Sequence, residues 1–205
     1  MSDISNDGDL GALLSAPVDE ATLARLHRKL EVDAADADLI DVAYTVVGTP
    51  VGELLLAATR KGLVRVAYAN EDHDRVLHTL GETLGWRVLR SPSRLADAAR
   101  EIEEYFARQR QSFDLELDLS LSHGFRRLVQ THLPEIGYGQ TRSYQQVAQL
   151  VGNPKAVRAV GTACATNPLP VVVPCHRVLR SDGSLGGYIG GLEAKTALLS
   201  LEAAA

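Results

Sequence analysis

Three short runs of alternating character between Asp41 and Tyr68 limit the fold of this chain more than any other feature. Tyr44-Thr45-Val46-Val47 leads to a turn at Gly48-Thr49-Pro50, Gly52 to Ala58 leads to a second at Arg60-Lys61-Gly62, and Leu63 to Tyr68 completes the set. Apolar and β-branched residues with period-two alternation, bounded by glycine and proline, read as strands, and turns this tight join antiparallel neighbours. The expectation is an antiparallel meander. Asp72 to Leu80 and Arg94 to Arg108 then read as helices, the second with Leu95, Ala98, Ala99, Ile102, Tyr105 and Phe106 on one stripe. Trp86 and Tyr105 read as core residues. These elements predict an α+β domain over residues 38–118, with no catalytic constellation in it. Phe113 to Leu121, where Asp and Glu alternate with Leu, reads as a connecting strand or linker.

Residues 1–37 hold Asp3, Asp7, Asp9, Asp19, Glu20, Asp33 and Asp36 among small residues, which reads as an acidic tail with one amphipathic helix. Asp19 caps that helix, and Leu23, Leu26 and Leu30 recur at helical spacing, a stripe expected to pack on the next domain. Within the 205 residues there is no apolar run long enough to span a membrane and no basic-then-apolar leader, so the expectation is a cytoplasmic protein without membrane contact. In that compartment the two cysteines, Cys164 and Cys175, are expected to be free thiols, and their spacing makes a poor zinc site. The net charge of -5 is unevenly spread: residues 122–205 hold eight Lys/Arg against four Asp/Glu, leaving 13 against 22 before Ser122. A basic C-terminal part is compatible with a polyanionic partner.

The C-terminal part, residues 119–205, reads as mostly helical. Gly124 to Leu133 forms a helix with Phe125, Leu128 and Val129 inward and His132 facing either way. Ser143-Tyr144-Gln145-Gln146 has the form of a capping box, starting a short helix that runs to Leu150. Gly152-Asn153-Pro154 breaks it and is expected to start another, with Asn153 as cap and Pro154 at the first helical position. Two short helices joined by a tight turn are the helix-turn-helix pattern, though many non-binding corners share it. In the second helix Val157, Val160 and Cys164 can face the core, leaving Lys155, Arg158, Ala159, Thr162 and Ala163 on the other sides. A minor groove is about 6 Å wide and a helix with side chains about 10–12 Å across, so only a nearly bare helix can enter a widened groove. Arg158 is the one long side chain in the middle of that face, and a cation there could replace an extruded base in the stack.

Val171-Val172-Val173 followed by Pro174-Cys175-His176-Arg177 reads as a buried strand that stops where Cys175 begins. A cysteine after three valines is ordinarily an inert, protonated core residue. His176 and Arg177 argue otherwise, because proton-accepting or cationic neighbours favour the thiolate that attacks carbon. On a strand, however, consecutive side chains point to opposite faces, so His176 assists Cys175 only if the chain turns there or a water bridges them.

From about Phe125 to Glu202 the chain resembles the O6-alkylguanine-DNA alkyltransferase family. The resemblance is carried by Tyr138-Gly139, Thr141-Arg142-Ser143-Tyr144, Arg158-Ala159-Val160-Gly161, Asn167-Pro168, Pro174-Cys175-His176-Arg177-Val178, Leu185-Gly186-Gly187-Tyr188 and Gly190-Gly191-Leu192. It implies a ribonuclease-H-like antiparallel sheet domain with helices, followed by a mostly helical domain with a winged-helix-like helix-turn-helix. It also implies direct reversal of DNA damage. The alkyl group of O6-alkylguanine, and of O4-alkylthymine, would pass irreversibly to Cys175 after the base is flipped out of double-stranded DNA bound through its minor groove. No cofactor or metal is implied, and the protein would be a monomer in solution that can bind cooperatively along DNA. By the same resemblance His176 acts through a water with Glu202 behind it, Tyr144 rotates the target phosphate and sits near the flipped guanine, and Asn167 braces the active-site turn. Arg158 is the finger, with Ser143, Ala156, Ala159 and Gly161 along the DNA face. Pro170, Val178, Tyr188, Ile189 and Gly190 line the pocket, the backbone at Val178 and Ile189 binding the guanine.

The chemistry supports this independently. Displacing guanine from a methyl carbon needs a soft nucleophile, which a thiolate is, and the thioether product offers water no acyl carbon, so the protein is consumed in one turnover. Glu202 continues the helical stripe of Lys195, Leu198 and Leu199, which places it inward. Departures from the family pattern are Gly137 in place of a proline, no Trp after Phe125, a bulky Ile189 in the pocket loop, and residues 1–37, which have no counterpart. Competing readings are a lesion-binding module without chemistry, against which Cys175 argues, a cysteine hydrolase, and a redox switch of Cys164 with Cys175.

Overall fold

The computed structural model describes residues 19–203, so the expectation of an acidic tail falls for residues 1–18 outside the described residues. The chain divides into two units, one ending at Leu39 and one from Ile40 onward. In the first, helix α1 spans Glu20–Asp36, and the Asp19 carboxylate caps it by accepting from the Thr22 backbone N–H at 2.8 Å. It runs six residues past Leu30 because no glycine or proline follows to stop it. Leu23, Leu26 and Leu30, expected to be a packing stripe, are each about half exposed.

In the second unit the meander forms as expected. Strands β1 (Val42–Thr49), β2 (Gly52–Thr59) and β3 (Gly62–Tyr68) pair antiparallel, with Val46 opposite Leu55 and Leu56 opposite Val66. A fourth strand, β4 (Val88–Arg90), adds parallel to β1 and gives the order β3-β2-β1-β4. Three residues are too short to show alternation, so β4 carried no signal. Leu54 to Ala57 of the central strand β2 are all fully buried, so both faces of the sheet are covered there. One face packs Leu55, Ala57, Val64 and Ala67 against Leu80, Val76 and Leu77 of helix α2 (His73–Leu84). The helix expected from Arg94 divides into a 3₁₀ turn at Pro92–Leu95 and helix α3 (Ala96–Phe106), which buries Ala98, Ile102 and Tyr105.

Trp86 corrects the sequence reading. It is 64% exposed, lying edge-on to the exposed His78 and against Gly81. Residues 113–121 form no full strand: they run beside β3 through a single bridge, Leu63 with Leu117, and end in a 3₁₀ turn, Leu119–Leu121.

The remainder is mostly helical. Helix α4 (Gly124–His132) buries Val129 and Gln130, whose amide donates to the Ala163 carbonyl at 2.9 Å. Leu128, expected inside, is 43% exposed, and His132 turns outward to pair with Glu135. Strand β5 (Arg142–Ser143) leads into α5 (Tyr144–Leu150), then α6 (Val157–Ala165), β6 (Val178–Leu179, parallel to β5) and α7 (Gly191–Ala203). The capping box is present: Ser143 Oγ accepts from the Gln146 backbone at 3.1 Å and Gln146 Oε1 from the Ser143 backbone at 2.7 Å. Ser143→Ala is expected to lower the unfolding free energy by about 1 kcal/mol, read as a shift in urea midpoint at unchanged slope. Helix α6 starts three residues later than expected, at Val157 with Ala156 as its cap, because Asn153 to Ala156 close a separate turn (Ala156 N–H to Asn153 carbonyl, 3.0 Å). No helix among the described residues is long and apolar enough to cross a membrane.

Candidate active site

The run Val171-Val172-Val173 is not a strand. It forms a series of turns in which the Val173 N–H reaches the Leu169 carbonyl at 2.8 Å and the Cys175 N–H the Val173 carbonyl at 2.8 Å. Pro168, Pro170 and Pro174 remove three backbone donors on and around the run, which works against a regular ladder. Val171 adopts φ 73°, a left-handed conformation rare for a β-branched residue. It is over-determined by two anchors. The edge of β3 grips Pro168, whose carbonyl accepts from the Val66 N–H at 2.8 Å and from Arg65 Nη1 at 3.2 Å. Buried Asn167 accepts from the Leu169 N–H at 3.1 Å through Oδ1, while its Nδ2 donates to the Val173 carbonyl at 2.8 Å and to Cys175 Sγ at 3.2 Å. An amide, with one acceptor and two donor hydrogens, suits that position.

Cys175 therefore begins a 3₁₀ turn, Cys175–Arg177, instead of ending a strand. Adjacent side chains on such a turn do not alternate between opposite faces, which removes the objection that a strand raised against cooperation with His176.

Behind this turn lies a buried charge cluster centred on Glu202 of α7. The Glu202 carboxylate accepts from Arg177 Nη2 at 2.8 Å and Nε at 3.0 Å, from Tyr105 Oη at 2.7 Å, from His176 Nε2 at 2.9 Å and from the Gly139 N–H at 3.2 Å. Arg177 Nη1 donates to the Ile136 carbonyl at 2.5 Å. Burial alone would raise the Glu202 pKa, but the hydrogen bonds from His176 and Arg177 outweigh it and hold the carboxyl at about 2. Burial lowers the His176 pKa by more than its hydrogen bond to Glu202 raises it, so the imidazole is neutral at pH 7. A carboxylate only accepts, which assigns the imidazole proton to Nε2 and leaves Nδ1 a bare base. Nδ1 is buried and has no protein hydrogen-bond partner.

Cys175 itself is 2% exposed. Burial pushes its pKa up to about 11, against the opposing hydrogen bond from Asn167 and the nearby charge of Lys195. The thiol is therefore protonated at neutral pH and needs a base to become a nucleophile. Cys164 is also a free, buried thiol, its pKa raised by burial.

The remaining predicted residues surround this centre. Tyr144 is half-buried at the start of α5, its hydroxyl against Gly186. Pro170 and Val178 are buried, and the Val178 carbonyl accepts from Lys195 Nζ at 2.7 Å. Tyr188 shares a hydrogen bond with Tyr68 and sets its ring edge-on to His176 at 6.4 Å. The Ile189 carbonyl accepts from Asn70 Nδ2 at 3.1 Å. Outside, Arg158 and Ala159 are exposed on α6, Ser143, Ala156 and Gly161 are half-buried, and Arg158 forms no ion pair among the described residues. Ala163, expected on an open side, is buried.

Sequence reasoning missed the parts played here by Tyr105, Arg177, Lys195 and Tyr68. Only Lys195 left a local trace, on the helical stripe with Glu202. The other contacts join residues distant in the chain, or, for Arg177, depend on the direction of the turn.

The family description "6-O-methylguanine DNA methyltransferase, ribonuclease-like domain" matches residues 42–119, and "6-O-methylguanine DNA methyltransferase, DNA binding domain" matches residues 124–204. A methylated-DNA–protein-cysteine methyltransferase of Mycolicibacterium paratuberculosis is 40% identical over 161 residues, 78% of this chain and 92% of that one. The constitutive methyltransferase of that name in Bacillus subtilis is 39% identical over 160 residues, 78% of this chain and 94% of that one. The crystal structure of Mycobacterium tuberculosis O6-methylguanine methyltransferase gives a TM-score of 0.70 at 36% identity, over 80% of this chain and 93% of that one. A Mycobacterium tuberculosis structure in complex with DNA gives 0.69 at 35%, over 79% and 93%. With two domain descriptions spanning most of residues 42–204 and relatives near 40% identity along almost their whole length, the chain belongs to the 6-O-methylguanine DNA methyltransferase family.

Proposed function

We propose that this protein repairs DNA by direct reversal, moving the alkyl group from O6 of an alkylated guanine onto its own Cys175. The observation that carries the reading is a protonated thiol one residue from a neutral histidine whose outer nitrogen is a buried, unpartnered base and whose inner nitrogen is tied to a fixed carboxylate. His176 Nδ1, through one water, takes the thiol proton, and Glu202 stabilises the imidazolium that forms. The thiolate attacks the alkyl carbon, the S–C bond forms as the O6–C bond breaks, and the departing guanine takes up the proton that His176 accepted, which returns the imidazole to its neutral form. Water cannot reverse a thioether, so each molecule acts once. O4-alkylthymine presents the same alkyl–oxygen bond and is a second substrate.

Helix α6 presents its small, exposed face to the minor groove of the duplex, and Arg158 fills the gap left by the flipped base. Two free thiols fit the reducing cytoplasm, where we place the protein. A module that only binds lesions would have no use for the Cys175–His176–Glu202 arrangement. The direct test is stoichiometry: with excess O6-methylguanine duplex, transfer is expected to stop at one methyl per protein molecule, and continued turnover would overturn the reading. Arg158→Ala is expected to slow repair in duplex DNA roughly thirtyfold, since about 2 kcal/mol of unstacking is no longer offset. Transfer from free O6-alkylguanine should barely change. Equal slowing of both would remove the finger role.

A further inference from the structure

The loop between Leu185 and Gly191 is clamped from two sides by tyrosines of different parts of the molecule. A Cβ on Gly186 would overlap the Tyr144 hydroxyl, and a Cβ on Gly190 would fall 2.6 Å from the Tyr68 ring. Neither glycine has a positive φ, so close approach of these rings, not backbone conformation, is what requires glycine there. Tyr68 is the last residue of β3 and is itself buried. Its hydroxyl meets the Tyr188 hydroxyl at 2.9 Å and the two rings pack edge to face at 5.8 Å. Two residues on, Asn70 Nδ2 holds the Ile189 carbonyl at 3.1 Å. Tyr188 in turn stands edge-on to His176. The sheet domain, which carries no catalytic constellation of its own, thus reaches the tyrosine that stands against His176, the neighbour of Cys175.

We propose that Tyr68 determines which alkyl groups the pocket accepts, by fixing Tyr188 and the Gly190 backbone so that the wall beside Cys175 cannot recede. The inference rests on the alkyl-transfer reading above. Because Cys175 is almost fully enclosed, the room for an alkyl group beside Sγ is set by what its walls can yield. A tyrosine ring pressed on a glycine backbone and packed edge to face against its neighbour yields little. A methyl group fits such a site and a benzyl group is resisted. Size discrimination of this kind in an apolar pocket is worth roughly 10- to 200-fold in rate.

The test compares transfer rates from duplexes carrying O6-methylguanine and O6-benzylguanine for wild type, Tyr68→Leu and Tyr68→Phe, with thermal midpoints measured alongside. Tyr68→Leu removes the hydroxyl and shortens the wall, and is expected to raise the benzyl-to-methyl rate ratio about tenfold. Tyr68→Phe keeps the ring and is expected to leave the ratio within about twofold of wild type. An unchanged ratio in Tyr68→Leu, with both rates equal to wild type or reduced alike, would overturn the proposal, as would a ratio that rises as much in Tyr68→Phe. Should Tyr68→Leu not fold, Asn70→Ala, which releases the Ile189 carbonyl from the exposed side, is expected to raise the ratio severalfold, and an unchanged ratio there would equally contradict it. Wild type that transfers no methyl would instead refute the alkyl-transfer reading, so the two failures are distinct.

Discussion

Cys175→Ser is expected to abolish methyl transfer from an O6-methylguanine duplex, by at least about a thousandfold, while leaving duplex affinity unchanged. Serine nearly matches cysteine in size, and Asn167 Nδ2, now 3.2 Å from Sγ, can donate to Oγ as readily, so the turn should hold. A hydroxyl, however, is a far weaker acid than even a thiol raised to about 11, and neutral His176 cannot deprotonate it usefully. The exposed residues of α6 that we propose to face DNA are untouched. Transfer rate and duplex affinity, measured on one preparation, separate the two effects. Retained transfer would mean that the acceptor lies elsewhere.

The second large effect concerns stability. Arg177→Ala leaves Glu202 buried with its cationic partner gone, and removing one member of a buried ion pair typically destabilises by about 3–5 kcal/mol. In a domain of this size that corresponds to a fall in melting temperature of roughly 10 °C. The same cluster sets the acid limit of the fold. Glu202 titrates at about 2 in the folded protein against an ordinary 4.5, so its contribution is fully present above pH 4.5 and is lost as pH falls towards 2. The shift is worth on the order of 3 kcal/mol. His176, whose pKa is lowered from 6.5, acts in the same direction, because the unfolded chain takes up its proton first as pH falls below that value. Urea unfolding at a series of pH values should show stability falling from about pH 6.5 downward. In Glu202→Gln the part of that fall between pH 4.5 and 2 should flatten. An acid limb of unchanged slope in that variant would show that Glu202 is not the group responsible.

Legibility in the sequence followed how local each cause was. The meander was readable because alternation and turn residues act over a few positions, and the Ser143 cap because its two hydrogen bonds span three residues. Glu202 could be placed inward from helical spacing taken together with the family resemblance. The valine run misled for a physical reason: β-branched residues suggest a strand, but three prolines on and around it work against a ladder, and the left-handed Val171 is imposed by Asn167 and the edge of β3. Trp86 and Leu128 were assigned to the core by residue type, which says nothing about which side of the chain its neighbours cover. The hydroxyls of Tyr105 and Tyr68 act on residues about a hundred positions away, and only the assembled fold brings them to Glu202 and Tyr188.

The central claim is that Cys175 is spent on a flipped base, and the most direct measurement is the mass of its peptide after incubation with an O6-methylguanine duplex. The predicted result is one added methyl on the Cys175 peptide, none on the Cys164 peptide, and an amount of repaired guanine equal to the protein modified. An unmodified Cys175 peptide alongside repaired DNA, or no repair at all, would contradict it.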